Sequence, residues 1–545
     1  MITSIPGVAL MLQTATCRLE FDWIFRVGPV ALLAMWGMCL GTQPLSAEDW
    51  PQWRGLNCTG VTTSKKRLPV EFSPTKNVRW SAEVGDGICS PTIVAGRLYT
   101  TAMLGEKPGN KFVVYCFDAD SGEKQWEREF LIEGEALAKI HESNSYASAT
   151  PAADAERVYV YHARLGMMAF DAKTGETAWR RELPEPYFVF DWGPGMSPVI
   201  HGNRLFFCQD DDLSPAAYCL DSTSGEILWK DDRGDMACSY SHPVICETPQ
   251  GPEVIIAGTG KMIGYDYKTG HRKWATEVFC RNIKTTPVTL DGIIYVSVES
   301  FGISYQWRVT ADANGDGKIT RDEILNNKYR LNTGKSIPDA FWAKFDRGDE
   351  NKDDVLEGDE IDKAFLAPQN RGGLLASEVQ ARLGNTIDTD ADKLSEEFSE
   401  LQKDASIQAV RGGGEGDVSK THVIWMKKTK SASHIVSPLV AEGRMFLIKQ
   451  GGITASFQAA NGEQLWDRRR VGSDGSYLAA PVYGDGKIYV TSEPGVVSVI
   501  ESGPEQKVLA NNDFGEPIAA TPALVDGQIF LRTRTRLYCI ADEAK

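Results

Sequence analysis

A nine-residue phrase recurs along this chain and restricts its fold more than any other feature. It reads Asp118-Ala-Asp-Ser-Gly122-Glu-Lys-Gln-Trp126, Asp171-Ala-Lys-Thr-Gly175-Glu-Thr-Ala-Trp179, Asp221-Ser-Thr-Ser-Gly225-Glu-Ile-Leu-Trp229 and Asp266-Tyr-Lys-Thr-Gly270-His-Arg-Lys-Trp274, with Gln458-Ala-Ala-Asn-Gly462-Glu-Gln-Leu-Trp466 as a looser copy. The first four tryptophans are spaced by about 53, 50 and 45 residues. Each copy reads as a hairpin: an apolar strand ends, Asp caps a turn, Gly supplies positive φ, and the next strand closes on tryptophan. A second signature, a small residue or His before Pro and then two strands about a Gly turn, begins at Ser90-Pro91, Thr150-Pro151, Ser197-Pro198, His242-Pro243, Thr286-Pro287, Ser437-Pro438, Ala480-Pro481 and Thr521-Pro522. Units of about four strands at a period near 40–50 residues are those of a β-propeller. The expected fold is all-β with eight four-stranded blades, seven being the alternative count. A ring must close, so Val78-Arg-Trp80-Ser-Ala-Glu-Val84 is expected to lend its strand to the last blade.

The Asp-x-x-Thr-Gly-x-x-x-Trp phrase resembles the pyrroloquinoline-quinone (PQQ) propeller repeat of quinoprotein dehydrogenases and of the propeller lipoprotein of the outer-membrane β-barrel assembly machinery. The stretch Asp49-Trp50-Pro-Gln-Trp53-Arg-Gly55 looks like the start of mature exported PQQ-like propellers. The resemblance covers roughly residues 49–304 and 416–545. It implies that Trp126, Trp179, Trp229, Trp274 and Trp466 dock between neighbouring blades. It also leaves PQQ open as a cofactor. Alcohol-oxidising members often carry an adjacent-cysteine disulfide over PQQ; no adjacent pair occurs here, and no axial residue pattern supports the cofactor.

The fifth unit is interrupted after Ile294-Tyr-Val-Ser-Val298 and resumes at His422-Val-Ile-Trp425, so an insertion of about 105 residues lies within one blade. It opens with a twelve-residue calcium-loop pattern of EF-hand type, with ligands at positions 1, 3, 5, 7, 9 and 12. These are Asp312, Asn314, Asp316, the Lys318 carbonyl, Thr320 and Glu323, with Gly317 at the sharp turn. A second copy offers Asp349, Asn351, Asp353, the Val355 carbonyl, Glu357 and Glu360, but has Asp354 where the turn prefers glycine. Left-handed backbone is strained for Asp, so the second loop is expected to be the weaker calcium site. Phe341 and Phe345 fit an entering helix, and Ile361 and Phe365 a leaving one. Residues 374–383 and 392–402 have the spacing of acidic amphipathic helices, and Gly412–Gly416 reads as a flexible return. The expected organisation is therefore 1–47 signal peptide, 48–304 propeller, 305–370 EF-hand pair, 371–415 helical and flexible return, and 416–545 the remaining blades.

Arg26 before the apolar run from Val27 to Leu40, and a small residue at Ala47, have the layout of a secretory signal. A retained anchoring helix is the alternative; after signal removal no transmembrane span is expected. The expected location is the periplasm or cell surface. A formal charge of −16 argues against a nucleic-acid partner, because neutralising phosphates needs a basic face. Nine of the eleven cysteines lie beyond the signal region, an odd number for an exported protein.

Loops preceding the Ser/Thr-Pro positions would converge on one mouth of a propeller. They bring His141, Tyr146, Asp191, Trp192, Cys238, Tyr240, His242, Arg281, Asn282, Lys284, Ser433, His434, Ser476 and Tyr477. Three functional readings follow. The chain is a calcium-binding propeller that engages a protein or polysaccharide as a binding or assembly module; or a PQQ-dependent dehydrogenase of an alcohol or sugar; or a lyase or hydrolase working through His141, His242 and His434.

Overall fold

The computed structural model describes residues 49–542 except 106–108, 134–136, 138, 189–191, 212–213, 234–238, 259–260, 279–282, 300–311, 313, 315, 327–338, 359, 362–363 and 365–404. The signal region, the acidic helical segments, Phe365, and the mouth residues Asp191, Cys238, Arg281 and Asn282 lie outside the described residues.

Eight sheets of four antiparallel strands form eight blades, each beginning at one of the eight Pro signatures; the strands of a blade are successive except in blade eight, whose outer strand comes from the N-terminal side, and blade five, which the insertion interrupts. Blade three shows why the sequence folds this way. Its inner and middle strands, Val199–His201, Arg204–Gln209 and Ala216–Asp221, are almost continuously buried, because sheets of neighbouring blades cover both faces. Its outer strand Ile227–Asp232 is solvent-facing except at Trp229. The inner hairpins turn on residue pairs with both φ angles positive, such as Asp291-Gly292 and Asp485-Gly486, as type I′ turns require.

The repeated phrase does two jobs. Asp171 Oδ1 accepts the N–H groups of Lys173 (3.0 Å) and Thr174 (2.8 Å), and these bonds, Thr174's first, hold its carboxyl below the usual carboxylate range. Gly175, at φ +70°, then lies flat on the tryptophan of the preceding blade: a Cβ there would stand 2.6 Å from the Trp126 ring. The Trp126 indole donates to Ala172 O at 3.1 Å, and Trp179 donates to Ser222 O at 3.0 Å beneath Gly225. Trp80 under Gly122 and Trp425 under Gly462 repeat the contact. Trp274 and Trp466 also pack between neighbouring blades, against residues of blades five and seven, but without a glycine cap or the carbonyl bond. Trp274 donates to Glu253 in its own blade at 2.8 Å, and the Trp466 indole N–H has no partner. Blades five and seven, which follow them, lack the Asp-x-x-Thr-Gly turn that would cap the ring.

The ring closes as expected: Val78–Glu83 pairs antiparallel with Arg536–Ile540 as the outer strand of blade eight. A second closure runs around the axis. Backbone N–H groups of the Pro signatures donate to side-chain hydroxyls of the next blade: Ser90 to Thr150, Thr150 to Ser197, His242 to Thr286, Thr286 to Ser437, Ala480 to Thr521, and Thr521 back to Ser90, all at 2.9–3.0 Å. The chain breaks where the acceptor position holds His242 or Ala480, neither of which has a hydroxyl.

Blade five needs one correction. Its third strand is Ser406–Arg411, so the propeller resumes within the segment read as a return and ahead of residue 416. The glycine run is pinned: Gly413 N–H donates to Glu253 Oε2 at 2.9 Å, and Gly416–Asp417 adds a parallel fifth strand to blade four.

Candidate functional site

Inner strands run from the Pro signatures to the type I′ turns, so the two ends of the axis differ. At the turn end, residues 49–68 form a strap across it. Trp50 pairs with Ile93 of blade one, and Ala153 N–H of blade two donates to Pro51 O. Ile200 N–H of blade three reaches Gln52 Oε1 (2.7 Å), and the Asn57 amide holds both backbone groups of Ile245 in blade four (2.7 Å each). Arg54 donates to Pro438 O of blade six (2.8 Å), Gly60 and Thr62 bracket Tyr483 of blade seven, and Lys66 pairs with Asp526 of blade eight. Within the strap, Gln52 and Arg54 have no exposed surface, and Trp53 stacks on His242 with centroids 4.4 Å apart. Sequence reasoning took this segment only as an N-terminal signature. The alternation of Trp50, Gln52 and Arg54 was the available signal.

The mouth at the other end is polar and mixed in charge. Arg534 Nε meets Asp86 Oδ1 at 2.5 Å and its Nη2 donates to Asn144 O at 2.8 Å, while Ser145 donates to Asp86 Oδ2. Lys284 Nζ sits 4.3 Å over the Trp192 ring, and Phe188 stacks on Tyr240 at 5.1 Å. Glu299 lies 3.6 Å from His434 Nδ1 and 3.8 Å from Lys449 Nζ. Deeper, Arg233 grips both oxygens of Asp210, at 2.7 and 2.8 Å, with both side chains at most 1% exposed.

The three histidines are not assembled as a reaction centre. His141 is exposed and bonds Ser143 of its own loop at 2.8 Å; His434 faces Glu299; His242 is 7% exposed, stacked on Trp53 and bonded through Nδ1 to Thr286. Tyr477 is also buried, its hydroxyl donating to the Val471 and Ser473 carbonyls, and Ser433 caps the N–H groups of Ile435 and Val436. The seven cysteines described are free and buried.

Burial lowers the pKa of His242 and of His162 to about 3 each, through desolvation of the charged ring with a smaller contribution from Arg54 and Arg164 respectively. Both are therefore neutral when folded and take up protons near pH 6.5 when unfolded. Stability rises with pH where the unfolded state binds more protons. The expected result is a Tm that falls as pH drops from about 6.5 towards 3, each histidine costing about 1.4 kcal/mol per pH unit. Thermal scans across that window, with His162→Phe losing its share of the slope, check this.

In the insertion, Lys318–Thr320 and Val355–Glu357 pair antiparallel with Ile319 opposite Leu356, followed or preceded by helices Arg321–Asn326 and Asp339–Gly348. Among the described residues of the insertion, Ile319, Ile324, Phe345, Leu356, Ile361 and Ala364 are the buried apolar ones. The two loops share one geometry. Asp312 accepts Asp316 N–H (3.1 Å) and Gly317 N–H (2.8 Å), as Asp349 accepts Asp353 N–H (3.1 Å) and Asp354 N–H (3.0 Å). Asn314 and Asn351 accept the N–H groups of Asp316 and Asp353, both at 2.9 Å. Glu323 Oε2 accepts the Thr320 N–H and hydroxyl (3.0 and 2.9 Å), and Glu360 accepts the N–H groups of Glu350 and Glu357 (3.1 and 3.2 Å). Gly317 has φ +79° and Asp354 φ +62°, so Asp354 adopts the left-handed turn that the pattern demands. Glu357 is turned to Lys318 Nζ at 2.6 Å. Among the described residues, no three His, Cys, Asp or Glu side chains converge as a metal-ligand set; the loop carboxylates bind their own backbone N–H groups instead. The insertion leaves and re-enters blade five between Val298 and Ser406, at the mouth end of the axis.

No helix among the described residues is long and apolar enough to cross a membrane. No protein of curated function matches the sequence. Among solved structures, BamB from Moraxella catarrhalis is 12% identical, aligning over 86% of this chain and 99% of that one with a TM-score of 0.45. The computationally designed Ika8 protein is 8% identical over 84% and 99%, TM-score 0.47. A europium-containing methanol dehydrogenase is 11% identical over 91% and 98%, TM-score 0.44. In sequence, residues 61–186 and 110–300, the stretch from the strap to blade five, match the family model described as outer membrane protein assembly factor BamB.

Proposed function

We propose that this chain is an exported, calcium-binding PQQ-like propeller that acts as a binding or assembly module, with its partner, a protein or polysaccharide, engaged at the mouth. The observation that carries this reading is topological: the strap closes the turn end of the axis, while the insertion departs from the open end, beside Glu299, His434 and Lys449. Calcium then orders an arm next to the binding face. The match to an assembly-factor family model over blades one to five supports a role in binding other molecules.

Calcium fits the chemistry of the loops. Each offers hard oxygen donors at the required spacing, and each has positive φ at its sixth position. Asp312, Asn314, Asp316, Lys318 O, Thr320 and Glu323 would hold the first ion. Asp349, Asn351, Asp353, Val355 O and Glu360 would hold the second, with Glu357 needing release from Lys318. The metal would supply charge neutralisation among crowded carboxylates and so order the two helices. Extracellular sites of this type bind at about 10⁻⁴–10⁻³ M.

PQQ fits less well. It is a planar tricarboxylate, and among the described residues the arginines near the axis are committed or enclosed. Arg534 is on Asp86, Arg532 on Cys89 and the Thr100–Thr101 segment, Arg233 on Asp210, and Arg54 is buried under the strap.

Calorimetric titration tests both parts. Calcium should bind the wild type, and Glu323→Gln, which keeps the shape but removes the bidentate charge, should weaken the first site about ten-fold or more. Asp354→Gly should tighten the second site by relieving backbone strain. Unchanged calcium binding in Glu323→Gln would remove the first loop as a site, and tight PQQ binding would move the reading to a dehydrogenase.

A further inference from the structure

We propose that the Arg54 guanidinium, enclosed at the propeller axis between blades six and seven, binds a small monovalent anion of chloride size. Arg54 has no exposed surface. A guanidinium carries five N–H donors. Nη2 donates to Thr59 O (3.2 Å) and Pro438 O (2.8 Å), and both Nε and Nη1 are buried without any acceptor. Among the described residues Arg54 forms no ion pair; its other neighbour of note is the Trp53 ring, 5.5 Å from Cζ.

A buried charge is tolerated when it is paired or its donors are matched, and among the described residues Arg233 shows the first and Arg532, with only Nε left unmatched, the second. Arg233 has Asp210, and Arg532 spreads its Nη groups over Cys89, Thr100 and the Thr101 and Gly85 carbonyls. Arg54 alone among these three leaves two nitrogens unmatched. The Cys58 thiol beneath it supplies no counter-charge, since burial pushes its pKa up to about 12. Desolvation lowers the Arg54 pKa to about 10, which leaves the side chain cationic at neutral pH.

The acceptors at hand, the Thr59 and Pro438 carbonyls, are both taken by Nη2, which leaves Nε and Nη1 unserved. Arg54 holds the Pro438 carbonyl where the hydroxyl ring is broken, since the position after Ser437 in the ring is Ala480, which has no hydroxyl. Gly60, of which a Cβ would lie 3.0 Å from Arg54 Nε and 3.0 Å from Pro481 O, leaves the approach free of side chain. Two unmatched N–H-bearing nitrogens on a buried positive charge select an anion over a cation. The enclosure by the strap selects a small one.

The test is thermal unfolding of the protein at fixed sodium and calcium, in chloride or bromide against gluconate, which is too large for a sealed site. Wild type should melt about 2–4 °C higher in halide, and Arg54→Met should lose that difference. Equal melting in the two salts, or an undiminished halide effect in Arg54→Met, overturns the proposal. If that variant does not fold, bromide-soaked crystals of the wild type decide. Anomalous density within about 3.5 Å of the guanidinium is the expected result, and ordinary water or no density there refutes the site.

Discussion

Replacing Asp210 by alanine should destabilise the folded protein by about 3–5 kcal/mol, among the largest effects of any single change to a polar side chain here. Asp210 and Arg233 are at most 1% exposed and bonded through both carboxylate oxygens. The Asp210 carbonyl also accepts Ser239 N–H, and Arg233 Nη1 donates to Tyr265 of blade four, so the pair ties blades three and four below the mouth. Burial alone would lower the Arg233 pKa, yet the charge of Asp210 holds it above its ordinary value. Removing the carboxylate leaves a cation in a medium that cannot solvate it. A Tm fall of about 5–10 °C is expected. Asp210→Leu combined with Arg233→Met should recover most of it, because an apolar pair of similar volume is often neutral. A loss below about 1 kcal/mol in Asp210→Ala would show that water solvates the pair in solution.

Trp179→Ala should cost a similar amount, about 3–5 kcal/mol, by opening a cavity between blades two and three. The ring is 9% exposed, lies under Gly225, and its indole N–H satisfies Ser222 O. Truncation removes the packing and orphans that carbonyl. Trp466→Ala is the matched comparison, since Trp466 is only partly buried, lacks a glycine cap and has an unpartnered indole N–H. Its cost should be less than half as large. Denaturant unfolding of the two variants side by side measures the difference, and equal losses would mean that the Gly-on-Trp contact contributes little.

These two residues also mark how far the sequence could be read. The tryptophan is visible in the repeat, because a contact used at successive blade junctions leaves the same residues at the same spacing. Trp80 and Trp425 use it too, without belonging to a complete phrase, and only the folded ring shows them beneath Gly122 and Gly462. Asp210 and Arg233 occur in one blade only and leave no periodic trace. The two acidic twelve-residue loops were legible as a repeated pattern and share one backbone geometry, whereas the Glu357–Lys318 pairing depended on how the two loops face each other. Sequence places His141, His242 and His434 on loops without telling which are covered, and only the fold shows that the strap covers His242.

The sequence by itself determined the four-stranded blade, the hairpin turns and the interruption of blade five, and pointed to Val78–Glu83 as the closing strand, while it left the count between eight blades and seven for the closed ring to decide. All of these rest on local patterning: strand alternation, glycine with positive φ, and a repeat that returns every 40–50 residues. Tertiary structure alone decided the rest. The hydroxyl ring from Ser90 round to Thr521, the strap that carries Arg54 to the axis, and the departure of the insertion from the open end each join residues far apart in the chain. Such contacts follow from closing the ring, which brings remote segments together with no regular spacing for the sequence to display.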